Sequence, residues 1–63
     1  MLEYFKTILS KVSFDRWLFE KELKKAINSL VPDEILNLRD WCYEKFSHMY
    51  ESILDKCFPQ ALV

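Results

Sequence analysis

His48 is the only histidine in the 63 residues, and it is flanked by carboxylates at helical spacing. Glu44 lies four residues before it, Glu51 three after and Asp55 seven after, while Asp40 continues the row on the N-terminal side. On a helix these positions form one ladder, a pattern that can hold a divalent cation or pair an acid with a base. The same pattern is what a solvated acidic face looks like. No glycine turn or oxyanion donor accompanies it, and the expectation is a solvated face with no metal and no catalytic role.

Cys42 and Cys57 are the two thiols. Fifteen residues apart on one straight helix, their Cα atoms would stand about 22 Å apart, far beyond the roughly 7 Å reach of a disulfide. No second Cys or His lies two to four residues from either, so the spacing of a zinc site is missing. Two thiols packed as small hydrophobes are expected.

Arg39 falls inside an apolar face, near Cys42, Tyr43 and Phe46. A guanidinium there must pair with a carboxylate, stack on a ring or reach outward to solvent. The expectation is a pair with an acid from another helix or another chain, with anchoring of a small ligand as the alternative. Trp17 and Trp41 depart from their stripes in the opposite sense, Trp17 among Lys21, Lys24 and Asn28, Trp41 among Asn37, Lys45 and His48. Tryptophan is enriched where proteins meet. Each indole could equally fold over the edge of a neighbouring helix. Leu18, also off the stripe, extends the second apolar surface at the start of the second helix. Trp17, Leu18, Arg39, Trp41, Tyr43 and Tyr50 are therefore the candidate interface residues.

No nucleophile, base and orienting group can be assembled from this inventory, so an enzyme is not expected, nor any cofactor. Lys6, Lys11, Arg16, Lys21, Lys24 and Lys25 could form a basic flank for nucleic acid. Glu20 and Glu22 interrupt it, and a net charge of -1 argues against such a partner.

The elements that position these residues are three helices, at about 2–12, 16–30 and 32–57. Half the chain is hydrophobic (51%) and glycine is absent, which excludes disorder and disfavours hairpins and phosphate-cradling loops. Tyr4, Phe5, Ile8, Leu9 and Val12 recur at spacings of three and four and define an amphipathic first helix. Asp15 is a good N-cap for the second helix, with Phe14 placed to staple onto Phe19. The second stripe is Phe19, Leu23, Ala26, Ile27 and Leu30, and Glu20 and Lys24 are an i,i+4 pair in the favourable order.

Pro32 opens the third helix at its first position, with Asp33 and Glu34 in the first turn. Its stripe is Ile35, Leu38, Cys42, Phe46, Met49 and Ile53, flanked by Tyr43, Tyr50, Leu54 and Cys57. No breaker follows until Phe58-Pro59. That face is wider than one neighbour needs.

The expected architecture is all-α, two shorter helices antiparallel along a long third helix. Residues 1–30 carry six basic and four acidic groups and residues 31–63 three basic and six acidic, which supports the pairing. Residues 1–58 read as a single domain and 59–63 as a frayed tail.

A chain of this size gains little net stability from its own core, and small domains are often completed by a second chain. The expectation is a self-associating helical bundle, a homodimer joined through the wide face of the third helix and the off-stripe aromatics, acting as an adaptor, regulator or small subunit without chemistry of its own. The alternatives are a nucleic-acid-binding regulator, or a small-ligand or metal site near Arg39 or His48. Charge at Glu3 and Lys6 occupies the place of a signal-peptide core, and the longest apolar runs are three residues, so no membrane span is expected and the cytoplasm is the default.

Overall fold

The computed structural model describes residues 1–58, and the expected tail at 59–63 lies outside them. Among the described residues there are three helices, α1 (Leu2–Val12), α2 (Arg16–Ser29) and α3 (Pro32–Cys57), and no strand. They pack into one all-helical unit.

The helix boundaries follow from local chemistry. Asp15 has the extended backbone of an N-cap, and its Oδ1 accepts from the amides of Trp17 (2.9 Å) and Leu18 (3.2 Å), satisfying two of the free donors that begin α2. At α3, Pro32 occupies the first turn, and Glu34 reaches back so that its Oε1 accepts from the Val31 amide at 3.4 Å. Asp33 and Glu34 also place negative charge at the positive end of the helix dipole. Lys24 pairs with Glu20 at 3.1 Å, in the order that favours helix.

The core is one cluster. Phe5 and Leu9 come from α1, and Phe19, Leu23 and Ala26 from α2, with Leu30 at its end. Helix α3 adds Ile35, Leu38, Cys42, Phe46, Tyr50, Ile53 and Leu54, and Phe58 closes it. Phe19 is fully buried at its centre, edge-on to Phe46 (centroids 5.0 Å apart) and stacked on Tyr50 (4.6 Å). Aromatic pairs in these geometries add to the area term rather than merely filling space.

Helix α3 is not straight. Tyr50 leaves the helical region, with φ -126° and ψ 27°, and divides α3 into two segments. A straight helix of 26 residues would be about 39 Å long, whereas the largest dimension of the Cα trace is 27 Å. Tyr43 and Asp55, about 18 Å apart along a straight helix, are hydrogen-bonded through the tyrosine hydroxyl and Asp55 Oδ1. The bend falls where neither glycine nor proline is present, and it folds Ile53, Leu54 and Phe58 back onto the core.

The wide apolar face of α3 is thus closed within the chain. Met49, expected in the stripe, is exposed because the bend turns it outward, and Tyr50 takes the inward position. Tyr4, expected in the α1 stripe, is also exposed, its ring edge-on to Phe5 at 5.4 Å.

Phe14 departs from expectation most. It does not staple onto Phe19, since it is 79% exposed while Phe19 is enclosed by Phe46 and Tyr50. The straight-helix separation of Cys42 and Cys57 likewise does not apply across the bend. Both are nevertheless free thiols.

Candidate functional site

The sequence-derived interface residues separate into those used inside the chain and those left outside. Tyr50 is buried, and its hydroxyl donates to the Ser13 carbonyl oxygen at 2.5 Å. Tyr43 is half-buried, hydrogen-bonded to Asp55 and tilted against Phe58 at 6.4 Å. Burial, and then the Asp55 carboxylate, push the Tyr43 hydroxyl up to about 12. Trp41 folds over the seam between α1 and α3, edge-on to Phe46 at 5.4 Å, and the Lys6 ammonium lies 5.8 Å from its ring centroid. That is a cation–π distance. Three of the six candidates are therefore internal fasteners.

Arg39 finds neither an acid on another helix nor a ring. Its Nε and Nη2 donate to Oδ1 of Asp40, the next residue, at 3.3 and 3.1 Å, while Nη1 is buried without a hydrogen-bond partner. The helix places the carboxylate within reach of one edge of the guanidinium and leaves the other edge without a partner.

His48 is exposed, and the bend two residues later carries Glu51 and Asp55 off the line of Asp40 and Glu44. Among the described residues, no three His, Cys, Asp or Glu side chains gather as a metal-holding group.

Cys42 is enclosed in the core, and Cys57 lies half-buried against it. Burial pushes Cys42 up to about 12, and burial followed by the Glu20 charge raises Cys57. A thiol held protonated is a poor nucleophile.

The basic flank is broken by pairing. Lys6 binds Glu3 (3.5 Å), Lys24 binds Glu20 (3.1 Å) and Lys25 binds Glu22 (3.6 Å). Lys56 from α3 also reaches Glu20, at 2.9 Å. The Lys56 and Lys24 hydrogen bonds hold the Glu20 carboxyl below its ordinary value of 4.5.

What remains outside is the corner between α1 and α2. Trp17 is 84% exposed and Leu18 39%, with Phe14 three residues before Trp17. The Asp15 cap is the cause. By fixing the first turn of α2 with Phe19 pointing inward, it sets Trp17 and Leu18 on the outer side.

The Trp17 indole stands between two open hollows. One, of about 370 Å³ and mostly apolar, is lined by Leu18, Glu20, Lys21 and Lys24 as well as Trp17; the other, of about 410 Å³, by Arg16, Glu20, Lys56 and Trp17. Phe14 was missed as a surface residue because the staple pattern accounted for it, and nothing in the sequence separates the two outcomes.

No family model matches the chain, and no curated protein or solved structure is detectably similar to it. Among the described residues no helix is long and apolar enough to cross a membrane.

Proposed function

We propose that this chain is a non-enzymatic protein–protein interaction module that self-associates, with the α1–α2 corner as its contact surface. The observation that carries the reading is Trp17, 84% exposed beside a mostly apolar hollow of about 370 Å³. A projecting indole next to a hollow is a self-complementary patch. A two-fold axis lets each chain's Trp17 enter the hollow of its partner, the arrangement an isologous dimer requires. Lys21 and Lys24 line that hollow, and lysines of this kind offer an entering ring both methylene surface and a cation. Glu20, held between Lys24 and Lys56, offsets part of the like charge that two such patches bring together.

The area is modest. Aromatic side chains bury about 150–250 Å² each, so Phe14 and Trp17 from two chains, with their rims, reach on the order of 1,000 Å², the lower limit for a specific interface. A weak, concentration-dependent homodimer follows, consistent with an adaptor or small regulatory subunit.

Light scattering behind size exclusion, across a hundredfold dilution under reducing conditions, tests this directly. The wild-type mass is expected to climb from 7.7 kDa towards twice that value as concentration rises, while Trp17→Lys stays at 7.7 kDa. A wild-type mass fixed at 7.7 kDa throughout sinks the proposal.

A further inference from the structure

Nothing in the sequence compels α3 to bend at Tyr50. Sharp kinks ordinarily have a local cause such as proline, glycine or an inserted side chain. Residues 47–52, Ser-His-Met-Tyr-Glu-Ser, contain neither proline nor glycine. Helical dihedrals hold on both sides, and Tyr50 alone departs from them.

The bend is therefore held by tertiary contacts made by and beyond the hinge. Tyr50 stacks on Phe19 and donates to Ser13. Past the hinge, Ile53, Leu54 and Phe58 enter the core, Asp55 accepts from Tyr43, and Lys56 pairs with Glu20. Each of these side-chain contacts joins residues 51–58 to a part of the chain N-terminal of the hinge. A second copy of the chain could supply the same residues to the same places.

We infer that α3 can straighten at Tyr50 and exchange residues 51–58 between two copies, giving a swapped dimer in which Tyr43 of one chain meets Asp55 and Phe58 of the other. The intrachain contacts are replaced one for one, and Tyr50 regains helical dihedrals in both chains of the dimer. The opposing term is lost translational freedom, and the opening of the core during exchange sets the rate. Reciprocal exchange of an identical element across a hinge is a low-cost route to a dimer. The inference does not depend on the Trp17 patch, which stays on the outer surface in both forms.

The experiment is refolding of the chain from denaturant at high concentration under reducing conditions, followed by separation of the species by size. A dimer that dissociates slowly on dilution is expected, because exchange requires residues 51–58 to leave the core. In a dimer refolded from isotope-labelled and unlabelled chains, nuclear Overhauser contacts between Tyr43 and Phe58 should cross between chains. Refolding that yields only monomer, or a dimer in which those contacts stay within one chain, overturns the inference.

Tyr50→Ala and Tyr50→Gly lose the same ring but differ in helix propensity at the hinge. The alanine variant should favour dimer by about 30-fold over the glycine variant, the usual difference taken twice per dimer. Should both variants fail to fold, the wild-type contact experiment still decides. Trp17→Lys separates the two proposals: a slow dimer that survives it with crossed Tyr43–Phe58 contacts is the swap, and a rapid dimer abolished by it is the corner interface.

Discussion

The Tyr50 hydroxyl donates to the Ser13 carbonyl oxygen across 2.5 Å, joining the bend in α3 to the corner between α1 and α2. Two residues 37 positions apart thus tie together the two places where the chain changes direction. The Ser13 carbonyl lies beyond the last turn of α1, where an acceptor must find a partner other than the helix. The tyrosine that supplies this partner also stacks on Phe19, so one side chain serves both the polar and the apolar requirements of the corner.

Tyr50→Phe keeps the ring and removes only the donor. It should cost about 1 kcal/mol, the net worth of an ordinary hydrogen bond. Urea unfolding followed by circular dichroism measures it. A variant as stable as the wild type would mean that water satisfies the Ser13 carbonyl equally well.

The N-cap carries a comparable weight at the other end of the corner. Asp15→Ala removes the acceptor for the Trp17 and Leu18 amides and should destabilise by about 1 kcal/mol, whereas Asp15→Ser should recover most of that. Thermal melts of the three proteins make the comparison, and equal losses for alanine and serine would count against capping as the cause.

Leu23 is fully buried in the shared core, and Leu23→Ala should cost about 3 kcal/mol through lost transfer energy and the cavity left behind. For a chain of this length that is a large share of roughly 3–9 kcal/mol of total stability. Loss of the cooperative unfolding transition near room temperature is therefore within reach. Trp17→Ala, by contrast, should leave the melting temperature almost unchanged because the indole is 84% exposed.

Glu20 gives the pH dependence. Its folded carboxyl is held below the ordinary 4.5 by hydrogen bonds from Lys56 and then Lys24. A depressed folded value contributes stability that is present above the unfolded value and lost as pH falls through the folded one. Glu20→Gln should therefore melt below the wild type at neutral pH, with the gap closing as the solution is acidified below about 4.5. Added salt should narrow the gap at neutral pH, since these groups are solvent-screened. A gap unchanged from neutral to strongly acid pH would remove the ion pairs as its cause.

The thiols should differ in reactivity. Cys42 is fully buried and its thiol is pushed up to about 12, while Cys57 is half-buried and also raised by burial. A thiol reagent near pH 8 should modify Cys57 slowly in the native protein and Cys42 more slowly still, with both reacting fast in denaturant. Equal native rates would place Cys42 nearer to solvent than the packing allows.

Much of this architecture was legible along the chain because its causes are local. Asp15 caps α2 through amides two and three residues away, and Pro32 with Asp33 and Glu34 opens α3 by geometry and charge within one turn. The stripe Phe19, Leu23 and Ala26 lies inward because the helical period puts those positions on one face. The exposure of Trp17 and Leu18 follows from the same period, and so does their standing as interface candidates.

Tertiary structure decided what depends on contacts between residues distant in sequence. No residue at Tyr50 breaks a helix, so the bend exists only because Ile53, Leu54 and Phe58 gain more from the core than a straight last turn would leave them. That single turn of the chain brought Tyr43 to Asp55, closed the wide face of α3 and split the carboxylate row around His48. Phe19 is taken up by Phe46 and Tyr50, which leaves Phe14 without its partner and on the surface. Local spacing specifies which face of each helix is apolar. Which apolar face meets which is settled only when all of them compete for the same core.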